Sequence, residues 1–335
     1  MQPFAAGSGA LAPPTLLEIE AAARRLAPYL EETPVFHWTG PSKRTLFAAN
    51  TDIWVKLELL QVTGSFKPRG ALNVALSIDP AARNRGFATF SSGNNAAAVA
   101  YAAQMTGTSA KVVMTRSANP ARVANCRRYG AEVIFTGSVQ EASERVVQIC
   151  AAEGRTYIHP YEGPLTSCGN ATLALEMLRQ IPDLDAIVVA IGGGGLCSGI
   201  GTALELARPQ CELLAVEPEG ADTMFRSFRS GKPEKLEAVR TIADSLAPPH
   251  TLPYSFNLCH RTVAELVLIS DDQIRAAMAC LYRDLKLCVE PGGAAALAGA
   301  LFPFHERLLG KCVGVIVCGS NIDSLSFHEH VGAIE

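Results

Sequence analysis

The chain of 335 residues is marked first by what it does not contain. Its ten cysteines include no Cys-x-x-Cys pair and no cysteine–histidine cluster at zinc-ligand spacing, which argues against a metal knuckle and a dithiol redox motif. No apolar run reaches the roughly 18 residues that a membrane-spanning helix needs. The opening MQPFAAGSGALAPP has no positively charged start leading into an apolar stretch. Charge is also scarce: 18% of residues are Asp, Glu, Lys or Arg and the net charge is −3, with no block of Lys and Arg to meet nucleic acid or an anionic membrane. No repeat of fixed period and no low-complexity tract occurs. The cysteines, from Cys126 to Cys318, therefore read as reduced core thiols of a cytoplasmic protein that handles a small molecule, with roughly the first dozen residues loosely ordered.

What is present is enough apolar material for a large core, 48% of the chain, in a length beyond the usual single domain. Short apolar runs alternate with longer helix-like segments, the pattern of an α/β protein with parallel sheets and crossover helices. FATFSS (87–92), AKVVMT (110–115), AEVIFTG (131–137) and RTYIHP (155–160) read as four strands with Ala-rich, glycine-stopped helices between them. A second series follows at AIVVAI (186–191), ELLAVEP (212–218), AELVLIS (264–270) and GVIVCG (314–319), which IWVKLE joins from the front of the chain. The expected architecture is two-lobed, each lobe an open and mostly parallel sheet flanked by helices. Residues 1–77 and 164–335 form the larger lobe, and 86–163 form a smaller one inserted in it. Ligands bind in the crevice of such an arrangement.

Three stretches carry candidate chemistry. Gly192, Gly193, Gly194 and Gly195 follow an apolar strand and precede a helix. Without Cβ atoms such a turn lets backbone N–H groups close on an anion, a phosphate above all, beside a helix N-terminus; the alternative is a tight turn with no ligand. Glu217, about 20 residues on, suits a dinucleotide site, but Leu196, Cys197 and Ser198 break the Gly-x-Gly-x-x-Gly spacing and no Gly-Lys-Ser/Thr follows. In FSSGNNAAAVAYAA, Ser91, Ser92, Asn94 and Asn95 lie at a helix start, where they either seat a carboxylate or simply cap the helix. A phosphate seat and a carboxylate seat together suit a phosphorylated cofactor carrying an amino acid. Finally, LLQVTGSFKPRGALN places Lys67 in a small-residue turn behind Phe66, where a partly desolvated amine has a lowered pKa and can form a Schiff base.

KLELLQVTGSFKPRGALN closely resembles the lysine motif of the serine/threonine dehydratase group of pyridoxal-phosphate enzymes, a fold-type II family that includes serine racemase. The likeness runs from LAPYLEETPV to GSNID. It implies a two-lobed fold-type II enzyme with pyridoxal 5'-phosphate held on Lys67 and Phe66 lying against it. It further implies Asn94 on the ring hydroxyl, Gly192 to Leu196 around the phosphate, Glu290 of VEPGGAAA near the ring, and Cys318 of VCGSNID at the pyridine nitrogen. Read without the resemblance, Cys318 is a buried strand cysteine. The implied activity is an ammonia-lyase that dehydrates a β-hydroxy amino acid of the threonine or serine type to a 2-oxo acid and ammonia, with Lys67 as the base and a homodimer as the assembly.

Departures from the family pattern bear on substrate choice. Asn95 stands where His is usual, CGNAT replaces Gly-Gln-Gly-Thr, and Ser320 replaces a glycine, so phenylserine and hydroxyaspartate stay open as substrates. Ser92, in the place where racemases of the family carry a second base, keeps amino-acid racemisation open; Ser91, Ser92 and Asn95 are the expected substrate contacts. EPEGADT offers Glu217 and Ala221 toward the divalent-cation site of some relatives but has Thr223 in place of the last acid, so that site is weakened or absent. A dinucleotide-dependent oxidoreductase would account for the glycine run but leaves Lys67 without a purpose.

Overall fold

The computed structural model describes residues 11–332. Most of the loosely ordered start expected from the sequence lies outside the described residues. Two sheets organise the chain. The larger is formed by β1 (Val35–His37), β2 (Asp52–Lys56), β7 (Ala186–Ala190), β8 (Glu212–Pro218), β9 (Glu265–Ile269) and β10 (Cys312–Ile316), in the order β1-β2-β10-β7-β8-β9. The smaller is formed by β3 (Phe87–Phe90), β4 (Ala110–Thr115), β5 (Glu132–Thr136) and β6 (Thr156–Tyr157), in the order β5-β4-β3-β6. Every pairing is parallel except β1 with β2, where His37 faces Trp54 across an antiparallel edge.

The two central strands of the larger sheet are sealed on both faces. All of β7 is buried, which is why AIVVA reads as an unbroken apolar run rather than an alternation. The expected strands all form, with two local differences. RTYIHP shrinks to two ladder residues, because Pro160 has no N–H to continue the sheet. His159 Nδ1 instead accepts the amides of Tyr161 and Glu162 at 3.2 and 3.0 Å, turning the chain away. β10 stops at Ile316, so Val317 to Gly319 run past the sheet edge toward the loop carrying Lys67.

Helix composition follows from position. Residues 94–103 of the Asn94–Met105 helix are all buried, since one side packs on the small sheet and the other on the Pro68–Ser77 helix. Alanine suits such a two-sided seat. At Gly70, Gly169 and Gly199 three helices touch backbone to backbone: a Cβ on Gly169 would overlap the Arg69 carbonyl, and one on Gly199 would stand 2.5 Å from the Ser167 carbonyl. The Pro164–Gln180 helix thereby joins the helix that begins after Lys67 to the helix that begins at the glycine run.

Candidate active site

Lys67 is the last residue before the Pro68–Ser77 helix, whose first position takes a proline because that N–H needs no partner. Its loop is stitched to the end of β10. Ser65 bridges Gly319, the Phe66 amide donates to the Cys318 carbonyl at 3.1 Å, and the Ser320 amide donates to the Gly64 carbonyl at 2.9 Å. Gly64 has φ +75, a conformation that L side chains rarely adopt, and Asn321 closes over it. Lys67 Nζ donates to the Pro160 carbonyl at 2.6 Å and stands 5.0 Å from the centre of the Phe66 ring. Burial lowers its pKa to about 8, partly opposed by Cys318 and Glu290. The ammonium thus faces a neutral carbonyl rather than a carboxylate, so nothing close holds its proton firmly.

The glycine run leaves the end of β7 and opens the Gly195–Ala207 helix. A Cβ on Gly193 would overlap the Tyr161 ring, and one on Gly192 would stand 2.9 Å from Leu246 Cα. Gly194 has φ +88. The four glycines therefore let the loop thread between Tyr161, Leu246 and the 253–262 helix. None of the amides of Gly193, Gly194, Gly195 and Leu196 donates to an acceptor among the described residues. A row of N–H groups at a helix start fits an anion such as a phosphate. Asn170 Nδ2 fixes the turn from below through the Gly195 carbonyl at 2.8 Å, which gives the CGNAT departure a structural role.

Asn94 opens a helix packed on the smaller sheet, Glu290 stands at the N-cap of the Pro291–Leu301 helix packed on the larger one, and their side chains meet. Asn94 Nδ2 donates to Glu290 Oε1 at 2.5 Å, while Glu290 Oε2, also buried, has no partner. Burial pushes the Glu290 carboxyl up to about 7, against the pull of Arg122 and the Asn94 hydrogen bond. Cys318 Sγ contacts the Gly292 carbonyl at 3.4 Å, and burial raises this thiol to about 12, so it stays protonated. The donor set fits the group that the sequence implied. Amides stand ready for a phosphate, Lys67 for an aldehyde, a neutral thiol for a pyridine nitrogen, and an orphaned carboxylate oxygen lies alongside.

Of the residues expected to meet substrate, Ser91 Oγ accepts the Gly93 amide at 3.2 Å within its own turn. Asn95 is buried, its Nδ2 bonded to Thr89 Oγ1 at 2.9 Å on β3. Ser92 is half-buried and its hydroxyl has no hydrogen bond to another described residue. Glu217 stands apart from this group. Its carboxylate caps the Thr223–Ser230 helix, accepting the Met224 and Phe225 amides at 2.9 and 2.8 Å. Burial raises it to about 8. Ala221 is buried beside it, and no cluster of three His, Cys, Asp or Glu side chains able to hold a metal ion occurs among the described residues.

Other residues at the site escaped the sequence reading. His159 is held neutral by burial near Lys67, its pKa down to about 3. Tyr161 wedges the glycine loop. Arg122, on the Pro120–Arg128 helix of the small sheet, reaches across the crevice to Asp244. Asn321 lies inside GSNID, and Arg69 lies two positions after Lys67. Both were visible in the motifs, but their partners were not.

Comparison with known proteins gives the family and the fold. The model of the family described as "Pyridoxal-phosphate dependent enzyme" matches residues 26–319. Phenylserine dehydratase of Ralstonia pickettii is 47% identical over 95% of this chain and 97% of its own. L-threo-3-hydroxyaspartate ammonia-lyase of a Pseudomonas species is 37% identical over 91% of this chain and 95% of its own. The solved structure of maize serine racemase superposes with a TM-score of 0.88 at 33% identity, covering 96% of this chain and 99% of the maize chain.

Proposed function

This chain belongs to the pyridoxal-phosphate dependent enzyme family, and from that premise we propose that it is an ammonia-lyase dehydrating a β-hydroxy amino acid to a 2-oxo acid and ammonia. The observation that carries this reading is Lys67: a cleft lysine whose ammonium bonds only a backbone carbonyl and whose pKa falls to about 8. When bound, the cofactor supplies an electron sink that makes the Cα–H of an amino acid acidic.

The protein's residues then divide the work. Lys67 holds the cofactor and, once released from it, takes up the Cα proton at Nζ; at pH near 8 a large fraction of the amine is neutral and able to do so. The amides of Gly193 to Leu196 bind the phosphate and fix it at the helix start. Phe66, Asn94 and Glu290 would hold the ring, and the Cys318 thiol, protonated throughout the physiological range, would be a weak partner for its nitrogen. Such a weak partner would favour loss of the β-hydroxyl. Ser91, Ser92 and Asn95 line the substrate carboxylate loop, with Ser92 bearing the free hydroxyl. Residues 1–77 and 164–335 act as the cofactor lobe, with 86–163 as the smaller lobe inserted in it.

Threonine, serine and the bulkier phenylserine are the candidate substrates, the last favoured by the 47% identical relative. A second reading, racemisation, rests on the unpaired Ser92 hydroxyl. The enzyme works as a homodimer in the cytoplasm. One assay tests the function: purified protein is given L- and D-isomers of these amino acids and of hydroxyaspartate, and oxo acid and residual enantiomer ratio are measured together. Oxo acid from at least one of them, with borohydride fixing the pyridoxal label on Lys67, is expected. Enantiomer conversion without oxo acid would replace the dehydratase reading by the racemase one, and neither would refute both.

A further inference from the structure

Asn321 links the lysine loop, Asn94 and the Pro120–Arg128 helix. Its Nδ2 donates to the Thr63 carbonyl at 2.8 Å and to Asn94 Oδ1 at 2.7 Å, which uses both of its hydrogens. Its carbonyl accepts from Arg122 Nε at 3.4 Å, and its backbone N–H helps to hold down the pKa of the Glu290 carboxyl.

The direction of this hydrogen-bonded chain is not free. A backbone carbonyl can only accept, so the end of Asn321 facing Thr63 has to be its nitrogen. The same nitrogen faces Asn94, which must present its oxygen. Asn94 therefore turns its own nitrogen to Glu290 Oε1, at 2.5 Å, and keeps one further N–H. No single amide in the series can flip without bringing two acceptors or two donors together, so one carbonyl in the lysine loop sets the polarity of a residue on the opposite lobe.

We propose that Asn321 is a positioning residue: anchored on the Thr63 carbonyl, it orients the Asn94 amide and keeps that amide's remaining N–H available to the cofactor, in register with Lys67. This rests on the functional reading above. Asn321→Asp keeps the size of the side chain but replaces the donor by an acceptor. Asn94 then has to turn its nitrogen to residue 321 and its oxygen to Glu290, which must take up a proton to pair with it. The charged and titratable groups that face Glu290, namely Arg122, Asp244, Lys67 and Cys318, are unchanged by this substitution.

The test uses the holoenzyme and reads cofactor release by fluorescence, the position of the visible absorption band, and the pH–rate profile. For Asn321→Asp, pyridoxal phosphate should leave about tenfold faster or more, with a shifted band and an acid limb moved upward. Asn321→Ala should also release it about tenfold faster, and the Asn94→Ala/Asn321→Ala pair should be little worse than Asn94→Ala alone. Asn321→Ser keeps one donor and should fall between wild type and Asn321→Ala, which preserves the test if the Asp variant does not fold. Independent, multiplying effects of the two Ala substitutions, or release and band unchanged in the Asp and Ser variants, would overturn the assignment. A wild-type protein that takes up no pyridoxal phosphate would instead bring down the functional reading, and this assignment with it.

Discussion

Two buried polar clusters lie within a few residues of each other along the chain and differ in one respect. Around Arg69 every donor is used: Nε and both Nη groups make five bonds, two to Glu58, two to Glu176 and one to Thr172 Oγ1, at 2.7–3.1 Å. Lys56 completes the set through Glu176, Gln180 and the Thr33 carbonyl. Two cations meet two carboxylates, and the charges cancel in a dry interior. Around Lys67 the account stays open, with an ammonium on a carbonyl, a carboxylate oxygen without a partner, a thiol beside them and a row of free amides. Saturated charge makes a scaffold, and unsaturated polarity makes a site, because only leftover valence can be offered to a ligand.

The sharpest way to break this contrast is to remove the amine. Lys67→Ala should lower oxo-acid formation by at least about 10³-fold while leaving the melting temperature of the cofactor-free protein almost unchanged. A small loss of rate would mean that another group takes the Cα proton. On the saturated side the pattern should invert. Arg69→Met strands the buried Glu58 carboxylate and leaves Glu176 to Lys56 alone, and should cost about 3 kcal/mol of stability by urea titration, with the rate per folded molecule falling far less.

Glu290 gives a pH test with a defined sign. Its folded pKa, about 7, lies above the ordinary carboxyl value of 4.5, so the folded state holds the proton more tightly than the unfolded one. The stability it contributes is present in full below about 4.5 and is lost as pH rises through about 7. Glu290→Gln cannot titrate, so its stability relative to wild type should improve over that interval by on the order of 3 kcal/mol. A parallel pair of curves would show that the carboxylate is not held in a dry site. The mildest effect concerns Lys67 itself. Protein stripped of pyridoxal phosphate should take it up again about tenfold faster for each pH unit up to about 8, and no faster beyond, as the amine becomes neutral.

Contiguous signals were legible in the sequence. The apolar runs gave nine of the strands, missing the β1 edge, whose VFH is too short to show a period. SFKPRG, SSGNN, GGGG and VCGSN were readable because each is a loop whose residue types are constrained locally, by a Schiff-base amine, by capping or by close backbone approach. Glu176 as partner of Arg69, Asp244 as partner of Arg122 and Thr63 as anchor of Asn321 left no such mark. The first two are acids among many, and the third acts through a carbonyl that every residue possesses.

By itself, then, the order of amino acids determined the alternation of strands and helices and the inventory of reactive groups, since periodicity and glycine tolerance are properties of neighbours in the chain. Packing alone decided which polar atoms were consumed and which were left over. The Lys67 pKa, the neutral Cys318 and the polarity of the Asn94 amide depend on dehydration and on hydrogen-bond direction, and both arise only when segments 196 and 227 residues apart come together.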